Sequence, residues 1–205
     1  MKKILLIVLV SLTFQSIRAQ EIYFNTGKNY TGYSFKGSSN NSSQFKLHSG
    51  TGNFYEVGYA LLLNNENFNY SFGLCLNEYN ATGNSLTNSY AWDTSYMGVT
   101  NAISYTFYYD DNFDVSVKGG FGISTIIYGK QRINEMYLDL ISQQEFSGIF
   151  IQPLLGLQAK YNVSNDYYLS FGYNYSKSIN LFNNTDEQLS FNNHQFQFGI
   201  HFALD

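Results

Sequence analysis

The stretch Phe68–Leu76 reads FNYSFGLCL. In it Phe68, Tyr70, Phe72, Leu74 and Leu76 alternate with Asn69, Ser71, Gly73 and Cys75. Successive side chains of a strand point to opposite sides, so this spacing makes one apolar face and one small, polar face; a helix would scatter both sets around its circumference. The period recurs in Phe113–Ser124, Tyr167–Ser176 and the terminal run Gln195–Leu204, where Phe196, Phe198, Ile200, Phe202 and Leu204 oppose Gln195, Gln197, Gly199, His201 and Ala203. Asn29–Gly37, Asn53–Leu63, Met97–Tyr109 and Ile149–Tyr161 follow it less cleanly. Eight strands are predicted.

The connections alternate in length. Residues 64–67, 110–112 and 162–166 are short and rich in Asn and Asp, which suit tight turns. Residues 38–51, 81–91, 129–145 and 177–190 form longer links. An even strand count with tight turns at one end and long loops at the other predicts an all-β, eight-stranded antiparallel up-and-down transmembrane barrel. Pro153 falls inside the sixth strand, where it predicts a bulge or a position above the bilayer.

Composition fits that reading and excludes others. Of 205 residues only 13% are charged, against about 25% in soluble domains, while 19% are aromatic and the mean hydropathy is −0.24. That is too polar for membrane helices and too apolar for disorder. Lys2 and Lys3 followed by Ile4–Phe14 and a small residue at Ala19 read as a signal peptide over residues 1–19, leaving one barrel domain over 20–205. The exported part carries eight bases and fifteen acids, −7 in all, which offers no footprint for nucleic acid. One cysteine, Cys75, excludes an internal disulfide, and His48, His194 and His201 lack the close spacing of a zinc site, so no cofactor is expected.

Periodicity alone does not tell a membrane barrel from a soluble one. The polar face here is mostly Gly, Ser, Asn and Gln with few of the Lys and Glu expected against water, so it is assigned to the lumen and the aromatic face to lipid. Tyr109, Tyr161 and Tyr167, beside tight turns, are placed in an interfacial girdle.

The chain resembles the small outer-membrane β-barrel families of Gram-negative bacteria, of the eight-stranded type seen in the OmpA membrane domain and OmpX, through this architecture and the terminal strand His194–Leu204. The segments Gly129–Leu140 (GKQRINEMYLDL) and Gln152–Tyr161 (QPLLGLQAKY) are similar to barrel proteins of unknown role in Bacteroidota-type envelopes. The resemblance implies an outer-membrane location, contact with outer-membrane lipids, and a last strand read by the barrel-insertion machinery, with Phe202 or Leu204 in place of a terminal aromatic.

Eight strands enclose a lumen that side chains just fill. Lys36, Glu56, Asp114, Lys118, Lys160 and His201 are assigned to it, with Glu56 and Asp114 expected to neutralise some of the lysines. A plugged barrel with a structural or surface-interaction (accessory or adhesion) role follows, without catalysis. The competing readings are a small gated, porin-like path and a lipid-modifying enzyme using His48 or His194 with Ser49, Ser190 or Asp93. In the third link Arg132, Met136, Tyr137, Leu138 and Leu140 are candidates to meet another envelope protein, unless the apolar ones pack on the barrel rim.

Overall fold

The structure is a computed structural model and describes residues 20–36, 47–63, 67–84, 89–134, 136–164, 166–181 and 188–204. The expected leader, residues 1–19, lies outside the described residues. Ten strands form one antiparallel sheet: β1 (Gln20–Lys36), β2 (Leu47–Leu62), β3 (Phe68–Glu78), β4 (Ala81–Asn84), β5 (Ser89–Asp110), β6 (Phe113–Ile133), β7 (Met136–Asp139), β8 (Ile149–Ser164), β9 (Tyr167–Asn180) and β10 (Gln188–Leu204). Eight close a ring in the order β1-β2-β3-β5-β6-β8-β9-β10, sealed by the pairing of β10 with β1. All eight predicted strands are in it. β4 prolongs β3 after a break at Tyr79–Asn80, and β7 folds back on β6 as a hairpin.

The register fixes the shape. Partners followed around the ring run Gln20, Leu61, Tyr70, Ile103, Gly119, Leu155, Tyr175, His194 and return to β1 at Tyr30, ten residues above the start. With ~3.3 Å per residue and ~4.8 Å between strands, that stagger tilts the strands by about 40°. Gln20 pairs with Leu204, so both ends of the described chain lie at the tight-turn rim.

Several strands are longer than the alternation predicts. β1 begins at Gln20 instead of Asn29, because Ile22 and Phe24 continue the outward row beyond the interruption at Thr26 and Lys28. In their described parts the long links continue as strand, in β4, β7 and the upper parts of β2, β5, β6, β9 and β10, except for residues 134, 140–145 and 181. Pro153 makes no bulge: its pairing with Phe121 is in register, and the ladder to β9 lapses between Ile151–Ile179 and Leu154–Ser176 without a shift. The missing N–H therefore costs a gap in one ladder instead of a bend.

Burial runs opposite to that of a soluble domain. Asn29, Asn193 and Gln197 are 0–1% exposed inside, whereas Phe171, Leu74 and Met97 are 54–57% exposed outside. Tyr109, Tyr161 and Tyr167 are exposed at the tight-turn rim, as an interfacial girdle requires.

Candidate functional site

The lumen is occupied in three tiers. At the long-loop end Tyr79, Tyr96, Phe150 and Phe191 pack around one another, with ring centroids 4.7–5.7 Å apart, and Leu189 and Ile126 join them. The segment following β7 closes this core from above by inserting Leu140 and Phe146. Gly129 permits the approach, since a Cβ there would lie 2.9 Å from that of Leu140. Asn180 holds the segment down by donating from Nδ2 to the Ser147 carbonyl at 2.9 Å. This aromatic tier was not foreseen, and it corrects the assignment of Leu140 to a partner surface: at 2% exposure it is part of the plug, the rim-packing alternative.

The middle tier is a hydrogen-bonded amide network. Asn193 and Gln195 donate to Asn29 Oδ1 at 2.9 and 3.0 Å, Asn29 donates to Asn77 at 3.1 Å, and Asn174 donates to Gln195 and Gln197 at 3.0 and 3.2 Å. Glu56 lies within it, accepting from Asn25 Nδ2 at 3.0 Å and from the hydroxyls of Tyr23 and Thr100. Such a carboxylate is held by neutral donors, so the expected pairing of Glu56 with a lysine does not occur. Lys118 is buried nearby and has no carboxylate within 4 Å among the described residues. It lines two small cavities of about 50 and 30 Å³, which give its ammonium room for a few waters. Cys75 is a buried packing residue of the same face.

The third tier, at the tight-turn end, carries the charge. Both carboxylate oxygens of Glu21 accept from Lys160 Nζ at 2.8 Å, and Glu21 also contacts His201 Nδ1. His201 Nε2 is 2.8 Å from Ser170 Oγ. Asp114 faces Lys160 in the β6–β8 register without an ion pair; Glu21, absent from the candidate set, is the actual counter-charge. It was missed because the alternation of β1 had been started at Asn29. Glu21, Asp114 and Lys160 border a mouth of about 440 Å³ lined also by Leu62, Asn69, Tyr109 and Tyr168. Lys36 ends β1, and its side chain lies outside those described.

Ser170, His201 and Glu21 have the connectivity of a nucleophile, base and orienting acid. Ser170 is 2% exposed and lines neither this mouth nor the two smaller cavities. Among the described residues no hydrogen bond joins His48 or His194 to Ser49, Ser190 or Asp93. His194 instead shares Nδ1 with the Tyr173 hydroxyl at 2.7 Å on the outer wall. No group of three potential metal ligands occurs among the described residues.

No protein-family model and no curated protein sequence matches the chain. Solved structures match its fold. The outer membrane protein OprG from Pseudomonas aeruginosa aligns with a TM-score of 0.56 at 9% identity, over 90% of this chain and 95% of that one. Neisserial surface protein A aligns with a TM-score of 0.50 at 12% identity, over 88% and 96%. Together with the closed ring, the outward apolar belt and the tight-turn rim, this likeness shows the fold: the chain is a small eight-stranded outer-membrane β-barrel.

Proposed function

We propose that this barrel serves the cell surface as a structural or interaction element, presenting its β6–β7 hairpin, with a lumen that does not conduct. The carrying observation is the hairpin itself. Every residue of β7 is exposed, Met136 by 68% and Tyr137 by 65%, so both faces of a strand that begins Met-Tyr-Leu stand clear of the barrel beside Arg132. Asn134, at φ 53°, supplies the left-handed turn that directs the strand back. A two-stranded projection that exposes Tyr137 and Arg132, of the residue types that dominate protein contacts, beside Met136 and Leu138 with no packing role in the barrel, suits a recognition surface.

A photo-crosslinking residue at position 137, activated on intact cells, is expected to yield adducts that vanish when Met136 and Leu138 are replaced by Ser, with barrel folding unchanged on gels. Adducts equal in the two backgrounds would refute the hairpin's role. The plugged lumen predicts silence in planar bilayers; discrete conductance steps would overturn it in favour of a pore. Incubation of purified protein with outer-membrane lipids, expected to leave them unaltered, separates this reading from a lipid-modifying enzyme.

A further inference from the structure

The outer wall of β9, β10 and β1 breaks the apolar belt in an ordered way. Lys177 on β9, His194 on β10 and Lys28 on β1 are exposed at outward positions, each two residues nearer the tight-turn rim than the register partner of the one before it. The partner track climbs about 3 Å per strand, and a two-residue step descends about 5 Å, so the three lie within about 4 Å of one level. His194 is the diagonal cross-strand neighbour of each lysine, about 7–8 Å away. Between them stand Tyr30 and Tyr175, the partners of His194, and Tyr173, whose hydroxyl bonds His194 Nδ1 and leaves Nε2 for a ligand.

Among the described residues no ion pair neutralises this row, and no carboxylate lies within 4 Å of Lys28 or Lys177. Lys28 donates to Asn53 Oδ1 at 2.6 Å, and Asn53 donates in turn to Glu78, so that carboxylate is held one strand further on, away from His194. Cations facing lipid without a counter-charge are costly in hydrocarbon and tolerable at a headgroup level. Below His194 the outward positions of β10 are Phe196, Phe198, Ile200 and Phe202, and above it they are Asn192 and Ser190. β1 passes likewise from Phe24 below Lys28 to Gly32 and Ser34 above Tyr30, whereas β9 carries Ile179 above Lys177, so on β10 and β1 the row stands at the edge of the hydrocarbon on the long-loop side. We propose that Lys28, His194 and Lys177, with the flanking tyrosine hydroxyls, form a binding site for the phosphate groups of a lipid headgroup in the leaflet on the long-loop side. Lysines supply point charges and tyrosines hydrogen bonds to phosphate oxygens, which suits a headgroup whose phosphate carries a net negative charge over one whose phosphate is balanced by its own cation.

The proposal rests on the belt facing lipid, which the stability measurement opening the Discussion tests separately. Folded protein is reconstituted in phosphatidylcholine vesicles containing a minor fraction of diphosphorylated lipid A or, in a second arm, phosphatidylglycerol. It is then re-extracted in mild neutral detergent and weighed by native mass spectrometry. The wild type is expected to retain the phosphorylated lipid above the phosphatidylcholine background. Retention falls about fivefold for Lys28→Gln or Lys177→Gln and about thirtyfold for the pair, at roughly 1 kcal/mol per interfacial lysine. The double Arg variant restores it, and Lys130→Gln, over the Tyr128 ring on β6, leaves it unchanged. Retention in both arms identifies phosphate irrespective of its lipid; retention of lipid A alone identifies the glycolipid as the source. Retention no greater than phosphatidylcholine, or undiminished in the double Gln variant, overturns the site.

Discussion

Leu157→Arg tests the physical basis of the fold. Leu157 points outward from β8 with 54% of its surface exposed, between Val117 and Tyr173 in register, and neither partner offers an acid. It stands four residues above Tyr161 of the girdle, which at ~3.3 Å per residue and a tilt of about 40° is ~10 Å, close to the middle of a belt about 25 Å tall. An arginine there costs about 2–4 kcal/mol, or roughly 30-fold to several hundred-fold in the folding equilibrium, whereas Tyr161→Arg at the interface costs about 0–1 kcal/mol. Trp92 provides the readout, because it is the single tryptophan and packs edge-on against Tyr33 and Phe146 in the upper core, at 5.1 and 5.0 Å. Denaturant unfolding from phosphatidylcholine vesicles, followed by its fluorescence, yields the two stabilities. If water surrounded the barrel, both substitutions would fall within about 0.5 kcal/mol of wild type, as surface changes do. Equal, small effects would therefore refute the membrane-facing assignment of the belt.

Phe191→Ala removes the ring shared by Tyr33, Tyr79, Tyr96 and Phe150 and is expected to cost about 3–5 kcal/mol in the same assay, since the surrounding aromatic side chains relax only partly into the space. Glu21→Gln strips the carboxylate from Lys160 and His201 and should destabilise by about 2–3 kcal/mol, with recovery in Glu21→Gln/Lys160→Met, because the penalty is an uncompensated cation and not a lost attraction. Gly58→Val displaces the Tyr23 ring, whose Cζ and hydroxyl oxygen lie 2.3 Å from where a Cβ at position 58 would stand, and should cost about 1–3 kcal/mol by overpacking, read as a lower unfolding midpoint. Met136→Ser with Leu138→Ser should leave the midpoint within about 0.5 kcal/mol, since β7 is exposed throughout.

The transmembrane part was legible because each outward residue faces one solvent and each inward residue another. In β3, β9 and the lower part of β10, Phe72, Phe171 and Phe198 are outside, and Gly73, Gly172 and Gln197 inside, as the alternation requires. The charged tier was legible in its residue types, but its pairing was not. Lys160 and Glu21 lie 139 positions apart, and only the stagger of the closed ring brings β1 and β8 side chains together across the lumen. A period of two identifies the face a residue occupies, whereas partners across a barrel depend on the shear, which local sequence does not encode.

The upper tier was hidden for a different reason, and β10 displays it. From His201 up to Gln195 the odd positions are inward and polar; Asn193 is the last of these, and the same inward row then continues with Phe191 and Leu189. The even positions change in the opposite sense, from Phe196 to His194, Asn192 and Ser190. β5 does the same, its outward row passing from Met97 to Ser95 and Asp93 while Tyr96 and Trp92 turn inward. On β10 and in this part of β5 the parity holds while the surroundings change; on β6 it slips by one at the bulge beside Ile127, where Ser95 pairs with Tyr128 and Tyr96 with Ile126. Below this level the outside is hydrocarbon and a barrel is stable with its polar groups inside, while above it the outside is water and the same backbone must bury its rings as a soluble domain does. A reader holding to one rule for the apolar face ends the strand where the rule inverts, which is why Leu189 and Tyr90 were placed in loops. The inversion is itself a sequence signal: wherever an alternating run exchanges the polarity of its two faces without losing its period, the chain is leaving the membrane. In this protein it occurs on β10 beside His194, where the lysine row also stands.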